Sequence, residues 1–178
     1  MIKNKKKGFT LVETLVAIAV LLLAVSAPLS LATKSLNSSA LSKQQITASF
    51  LAQEAIEYIR NIRDENVIKH GDWLHADSGI QNCFTGKCIV DPTVTSGTDN
   101  IKKCLSGVCS PLRYRQSNGI YSYDTGSGTD DSIFTRVVEM TDVINGREVA
   151  VLVTISWLGP AAVVYKVIAR ENLTNWQY

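Results

Sequence analysis

Residues 5–13 have the sequence KKKGFTLVE, and an apolar stretch continues from there to Ala32. A short cationic head, one glycine and an apolar run that holds a single carboxylate, Glu13, form an unusual combination. A carboxylate in the apolar part of a membrane helix costs about 2.5–3.5 kcal/mol on insertion scales. A cost of this size indicates that a partner satisfies the charge of Glu13 at a later stage.

The spacing of Gly8, Phe9 and Glu13 resembles the N-terminus of type IV pilins and of the related pseudopilins of type II secretion. In that family a short basic leader ends in glycine, cleavage before phenylalanine exposes a new amine, and a glutamate follows at this distance. The resemblance implies cleavage of the Gly8–Phe9 bond by a prepilin peptidase and methylation of the Phe9 amine. It also implies that Glu13 acts in assembly, by pairing with that amine on an adjacent subunit.

The charges around the apolar stretch predict its orientation in a membrane. Four lysines precede the 24-residue run from Phe9 to Ala32 and favour a cytoplasmic N-terminus, with the chain after Lys34 outside. Two alternatives are a secretory signal cleaved near residues 25–27 and an uncleaved anchor that carries a binding domain and never assembles. Pro28, directly after that cleavage position, and Glu13, inside the apolar region, disfavour the secretory signal.

Composition excludes several classes of function. Without its four leader lysines the chain changes from a formal charge of +2 to −2, and the sequence shows no basic cluster that indicates nucleic-acid binding. It also contains no nucleophile elbow, phosphate loop or dinucleotide fingerprint. We therefore expect neither an enzyme nor a bound cofactor.

The helix is predicted to continue beyond the membrane, over residues 9–66. Residues 9–32 form its transmembrane or filament-core part, and residues 33–66 form an amphipathic part. Pro28 should kink or loosen the first part, because it removes a backbone hydrogen bond. The predicted stripe of the amphipathic part comprises Leu36, Ala40, Leu41, Ile46, Phe50, Leu51, Ala55, Tyr58, Ile59 and Ile62.

Residues 67–133 carry many loop formers and little periodicity, so we predict an irregular region with short strands at Leu112–Arg115 and Ile120–Asp124. Its cysteines form two copies of the pattern Cys-x-Ser/Thr-Gly-x-Cys. Outside the cytoplasm two disulfides are the default, and of three connectivities the in-motif pairs are favoured, Cys83–Cys88 and Cys104–Cys109. A four-thiolate zinc site is the alternative, whereas a redox pair would require Cys-x-x-Cys.

Residues 134–178 predict an antiparallel meander of three strands, at Phe134–Ile144, Arg147–Leu158 and Ala161–Asn172. Strict alternation from Val149 to Trp157 is typical of a strand with one buried face. Asn145-Gly146 predicts a type I′ hairpin turn, in which both central residues have positive φ.

Other polar clusters give weaker predictions. Two histidines with two neighbouring aspartates could ligate a metal, although exposed loop positions are favoured for His70, Asp72, His75 and Asp77. Three carboxylates beside a glycine-rich loop could hold calcium, but they lack the spacing of an EF-hand loop. These are Asp124, Asp130 and Asp131. We expect no resident metal at either cluster.

Together the segments predict an α+β fold in which a long N-terminal helix packs on a C-terminal antiparallel sheet, a layout similar to that of pilins. The resemblance implies a minor pilin or pseudopilin that is inserted in the cytoplasmic membrane and later built into a helical filament at the cell surface. Its implied partners are the prepilin peptidase, other pilin subunits, the inner-membrane assembly machinery and membrane lipid. Residues 1–8 would be the leader peptide that the peptidase removes.

Overall fold

The computed structural model describes residues 8, 10–74, 79–94, 100–159 and 162–176, and the chain divides into two compact units, Met1–Lys43 and Gln44–Tyr178. One helix, α1, extends over Leu11–His70, four residues further than predicted at its C-terminus. Pro28 lies inside α1 and does not end it.

The second unit contains a seven-stranded antiparallel sheet and a short helix, α2, at Gln81–Phe84. The strands are β1 Cys88–Val90, β2 Ile101–Lys103, β3 Pro111–Arg115, β4 Ile120–Ser122, β5 Thr129–Ile144, β6 Glu148–Leu158 and β7 Val164–Thr174. The region that the sequence predicts to be irregular therefore supplies four strands and α2. Strands of three residues are too short to show a period of two, which is why the pattern did not mark β1 and β2.

β5 is the centre of the sheet. One of its edges pairs with β6 from Phe134 to Ile144, and the other pairs with β3 and, at Val138, with Cys88 of β1. β7 pairs with β6 along its whole length. The predicted meander is present, with β5 beginning five residues earlier than expected and β7 beginning three residues later.

The turn between β5 and β6 differs from the prediction. Gly146 has a φ of +71°, but Asn145 does not have a positive φ. The turn is therefore not type I′. The amide of Arg147 donates to the carbonyl of Ile144 at 2.9 Å, and the loop holds three residues rather than two. A register shift between Asp142 and Ile144 accommodates the extra residue.

Residues of α1 from Gln44 onward pack on one face of this sheet. Alternate residues of β6 from Val149 to Trp157 are buried there, as the alternation predicts. The buried face of the helix comprises Ala48, Leu51, Ala52, Ala55, Ile56, Ile59 and Ile62. The predicted stripe was wrong at Leu36, Ala40, Ile46 and Phe50, which are exposed. It also missed the buried Ala48 and Ala52, whose small side chains allow close approach to the sheet.

A row of aromatic rings crosses the sheet near the Gln44 end of this packing. Ring centroids lie 5.9 Å apart for Tyr121 and Phe134, 5.7 Å for Phe134 and Trp157, and 5.8 Å for Trp157 and Tyr165. The indole Nε1 of Trp157 donates to Oε1 of Gln44 at 3.0 Å. The row and this hydrogen bond hold the start of the packed helical segment against the sheet.

Candidate functional site

The N-terminus of α1 is stabilised by Thr10. The amide of Glu13 lies 3.1 Å from the carbonyl oxygen and 3.3 Å from the Oγ1 of Thr10, and the amide of Thr14 lies 3.2 Å from the same carbonyl. Thr10 thus occupies the N-cap position and Glu13 the third position of the helix, which is the sequence pattern of a capping box. A carboxylate here also interacts favourably with the positive end of the helix dipole.

The apolar side chains that follow are not covered by the chain itself. All described residues from Thr10 to Ala40 are exposed, including the leucines and valines of the apolar run. By length and composition α1 is able to cross a membrane, and no residue in its most apolar 18-residue stretch is buried within the chain. This part of the helix therefore needs an apolar environment from outside the molecule.

Of the two predicted processing residues, the structure describes Gly8. Gly8 is exposed, and a Cβ added to it would meet no atom within 4 Å, so nothing inside the protein requires a glycine there. Phe9 lies outside the described residues. Glu13 is exposed in the first turn of α1. A requirement for Gly8 must consequently come from a protein that acts on this segment.

Residues 3–27 match the family described as the prokaryotic N-terminal methylation motif, and this match contains Gly8, Phe9 and Glu13. The chain is type IV pilin-like. No curated protein and no solved structure matched it. The motif implies processing by a prepilin peptidase and assembly with other pilins, and the proteins that carry it are structural rather than enzymatic. The exposed apolar helix fits a membrane-anchored pilin.

Beyond the matched segment, two disulfides organise the surface of the pilin-like domain. Cys83 is bonded to Cys88 and Cys104 to Cys109, with Cα–Cα distances of 5.0 and 4.7 Å, and all four cysteines are buried. Both bridges lie at one end of the β1–β2 pair, where the amide of Cys104 donates to the carbonyl of Lys87 at 2.9 Å. Bonded cysteines provide no thiolates, so these residues do not form the alternative zinc site.

The two motifs share a sequence pattern but not a conformation. Cys83 belongs to α2, and the chain from there passes through Gly86, at a φ of +154°, into β1. Between Cys104 and Cys109 the chain makes a tight hairpin in which Ser106 and Gly107 have φ values of +50° and +74°. Positive φ at both central residues is the signature of a type I′ turn, which occurs here instead of at Asn145-Gly146.

The acidic loop considered for calcium is occupied by protein contacts. Asp124 pairs with Arg115, and Asp131 pairs with Arg113 at 2.8 Å. Asp130 accepts from the side-chain Nε2 of Gln116 at 2.7 Å. These contacts give each carboxylate a partner in the protein and do not support a shared cation site. Within the described part of the chain no group of three potential metal ligands occurs.

The histidine cluster can be placed only in part. His70 is the last residue of α1, and the carboxylate of Asp72 accepts from the amide of Leu74 at 3.2 Å. His75 and Asp77 lie outside the described residues. Asp72 therefore has a local structural role, stabilising the turn that follows the helix.

A buried arginine that the sequence analysis did not consider joins the helix to the sheet. Arg136 of β5 is 0% exposed, and its Nη1 lies 2.7 Å from Oε2 of Glu54 and 3.2 Å from the carbonyl of Leu51. Its Nη2 donates to the carbonyl of Val90 in β1, and its guanidinium lies over the ring of Tyr123. The alternation of β5 indicates from sequence alone that Arg136 is buried, since it puts residue 136 on the same face as Phe134 and Val138.

Proposed function

We propose that the chain is a minor pilin or pseudopilin, a structural subunit of a type IV pilus or of a type II secretion-like filament. The observation that carries the proposal is the methylation-motif match over residues 3–27. The disulfide-bonded surface supports a specialised subunit over a major one, because it adds a constrained external feature to the packed helix and sheet.

The proposed maturation begins in the cytoplasmic membrane. The lysine-rich leader stays inside, the apolar part of α1 spans the bilayer, and the disulfide-bonded domain is outside, where cysteines oxidise. A prepilin peptidase cleaves between Gly8 and Phe9, and the new amine is methylated. Glu13 then pairs with the Phe9 amine of a neighbouring subunit, since either charge alone would be stranded among apolar side chains.

The exposed apolar segment of α1 supports this assembly. Its side chains lose contact with water first in lipid and afterwards against the same segment of other subunits. Addition of identical subunits by one repeated translation and rotation uses a heterologous interface, which does not close and so produces an open filament. The inner-membrane assembly machinery would drive the transfer from lipid to filament.

Cleavage is tested with Gly8→Leu and Gly8→Ala in cells that contain the peptidase. A bulky side chain next to the scissile bond should leave a full-length precursor in the membrane, with Gly8→Ala as the smaller perturbation. Intact-mass measurement should give a wild-type chain that begins at Phe9 and carries an added methyl group. A Gly8→Leu chain that is shortened as efficiently as wild type would contradict the proposed processing.

The role of Glu13 in assembly can be separated from its role in helix capping. Glu13→Gln removes the charge but keeps a residue that suits the capping box, whereas Thr10→Ala removes the cap and keeps the charge. We expect Glu13→Gln to insert and be processed but to be absent from sheared filaments, and Thr10→Ala to be incorporated. Recovery of Glu13→Gln at wild-type levels would show that the carboxylate serves only the helix terminus.

A further inference from the structure

The hairpin between Cys104 and Cys109 holds two large apolar side chains in solvent. Leu105 is 86% exposed and Val108 is 75% exposed. The amide of Val108 donates to the carbonyl of Leu105 at 2.9 Å, and the Cys104–Cys109 disulfide closes the base of the hairpin. A loop held by a type I′ turn and a disulfide cannot turn these side chains inward, so their exposure is a property of the fold.

Three exposed lysines surround the hairpin: Lys87, Lys102 and Lys103. Lys102 and Lys103 line one concavity, of about 360 Å³, together with Leu105 and Val108. Lys87 lies beside them, because its carbonyl accepts from the amide of Cys104.

The chain segments that form this cluster contain no acidic residue, although Asp91 and Asp124 line a neighbouring concavity with Lys102. Neither residues 79–90 nor residues 100–123 include Asp or Glu, although the chain without its leader carries a net negative charge. The linear sequence does not show this cluster, because the β1–β2 pairing brings lysines from two segments together.

We propose that this tip, defined as Lys87, Lys102, Lys103, Leu105 and Val108, binds an anionic phospholipid surface. Lysine ammonium groups interact with headgroup phosphates while their aliphatic stems lie along apolar material. Exposed leucine and valine side chains between them enter the boundary between headgroups and acyl chains. The tip presents both kinds of group on one rigid support.

The residue types distinguish lipid from other partners. Protein interfaces are depleted in lysine, and leucine and valine are under-represented among the residues that dominate their binding energy. Single-stranded nucleic acids are bound through stacking on aromatic rings, which the five tip residues lack. A lysine-rimmed aliphatic pair fits the anionic bilayer surface better than either alternative.

The experiment uses the full chain. Because its apolar helix enters any bilayer, the protein is first reconstituted in phosphatidylcholine nanodiscs that are captured on a sensor. Vesicles of phosphatidylcholine alone, or mixed with phosphatidylglycerol, then flow over the surface. Wild type should retain the phosphatidylglycerol vesicles and not the pure phosphatidylcholine vesicles, and added salt should weaken the retention.

Two double variants divide the tip by chemistry. Lys87→Gln with Lys103→Gln should weaken vesicle binding by about 25-fold, since each lysine near an anionic surface contributes about fivefold. Leu105→Ser with Val108→Ser should weaken it by at least about tenfold through lost apolar insertion. The matched control is Val164→Ser with Lys166→Gln, an exposed apolar and basic pair on β7, which should bind like wild type.

Intact disulfides, established by mass mapping for every variant, confirm that the tip has folded. Equal retention of both kinds of vesicle, or full retention by either tip variant, would overturn the proposal. Competition by single-stranded DNA that the same variants abolish would also overturn it and would assign the tip to nucleic acid. The assay requires neither cleavage nor filament formation, so its result is independent of the proposed role as a filament subunit.

Discussion

The first and second parts of α1 have the same secondary structure but opposite surroundings. As far as Ala40 the described apolar side chains are exposed, whereas after Gln44 Ala48, Ala52, Ile59 and their neighbours are buried on the sheet. Complete burial of one large aliphatic side chain stabilises a protein by about 1.5–3 kcal/mol. The second part obtains this stabilisation within the chain, and the first part can obtain it only from lipid or from other molecules.

The strongest test of the packed part removes the arginine that ties it to the sheet. In detergent, Arg136→Ala should lower the free energy of unfolding by about 3–5 kcal/mol, because it leaves a cavity, two carbonyls without their donor and Glu54 without its counter-ion. Lys69→Ala, at the exposed ion pair with Glu65, should cost less than about 1 kcal/mol. Denaturant titration followed by tryptophan fluorescence, to which the buried Trp73 and Trp157 contribute, measures both. Equal losses would mean that the packed part does not depend on this buried connection.

The second test compares the two parts of α1 directly. Ile59→Ala should destabilise the domain by about 3 kcal/mol, as large-to-small substitutions in a core do. Leu21→Ala, in the part that is exposed, should leave the domain's stability unchanged and should act only on membrane insertion or assembly. The same denaturant titration would refute the contrast if Leu21→Ala were as destabilising as Ile59→Ala.

A smaller effect is expected from the disulfides. Each closes a short loop, for which the chain-entropy model gives about 2 kcal/mol. Reduction should loosen residues 79–110 in hydrogen exchange while the packed part of α1 and strands β5–β7 keep their protection. Cys104–Cys109, at the base of an exposed hairpin, should be reduced and alkylated before Cys83–Cys88. Simultaneous loss of protection in α1 would show that packing of the helix depends on the bridges.

The smallest effect concerns alkaline pH. Burial raises the pKa of Tyr123, so the folded state keeps its phenol protonated where the unfolded state would ionise it. The stabilisation is therefore complete below a pH of about 10 and is lost as the pH rises through the raised pKa. Tyr123→Phe should flatten this decline, measured by unfolding at increasing pH. An unchanged decline would assign it to other groups.

Much of the architecture is predictable because it has a clear period. The alternation from Val149 to Trp157 correctly indicated β6 and its buried face. The run of apolar residues and their later periodicity indicated one long helix. The helical stripe was partly wrong, because it passed through Ile46 and Phe50 and missed Ala48 and Ala52, whose small size decides which side approaches the sheet.

Other features depend on contacts between distant residues. The Asn145-Gly146 pair suits a type I′ turn, but a register shift in β5 lengthens that loop, and no local pattern shows this. The contribution of Thr10 was recognisable from the spacing Thr10-x-x-Glu13 and was overlooked because the carboxylate was assigned to assembly. The basic tip is absent from the linear sequence, since only the pairing of β1 with β2 brings the backbone at Lys87 next to the segment that holds Lys102 and Lys103.

The contact between Arg136 and Glu54 joins residues separated by 82 positions, and that between Trp157 and Gln44 joins residues separated by 113. Strands β5, β6 and β7, in contrast, are consecutive and form through local hairpins, so we expect them to fold as a unit before they bind the helix. At ribosomal rates of about 5–20 residues per second, Arg136 is synthesised about 4–16 s after Glu54. The face from Ala48 to Ile62 stays uncovered until β6 has also been synthesised, and a chain truncated before β6 would keep it so and be a substrate for proteolysis.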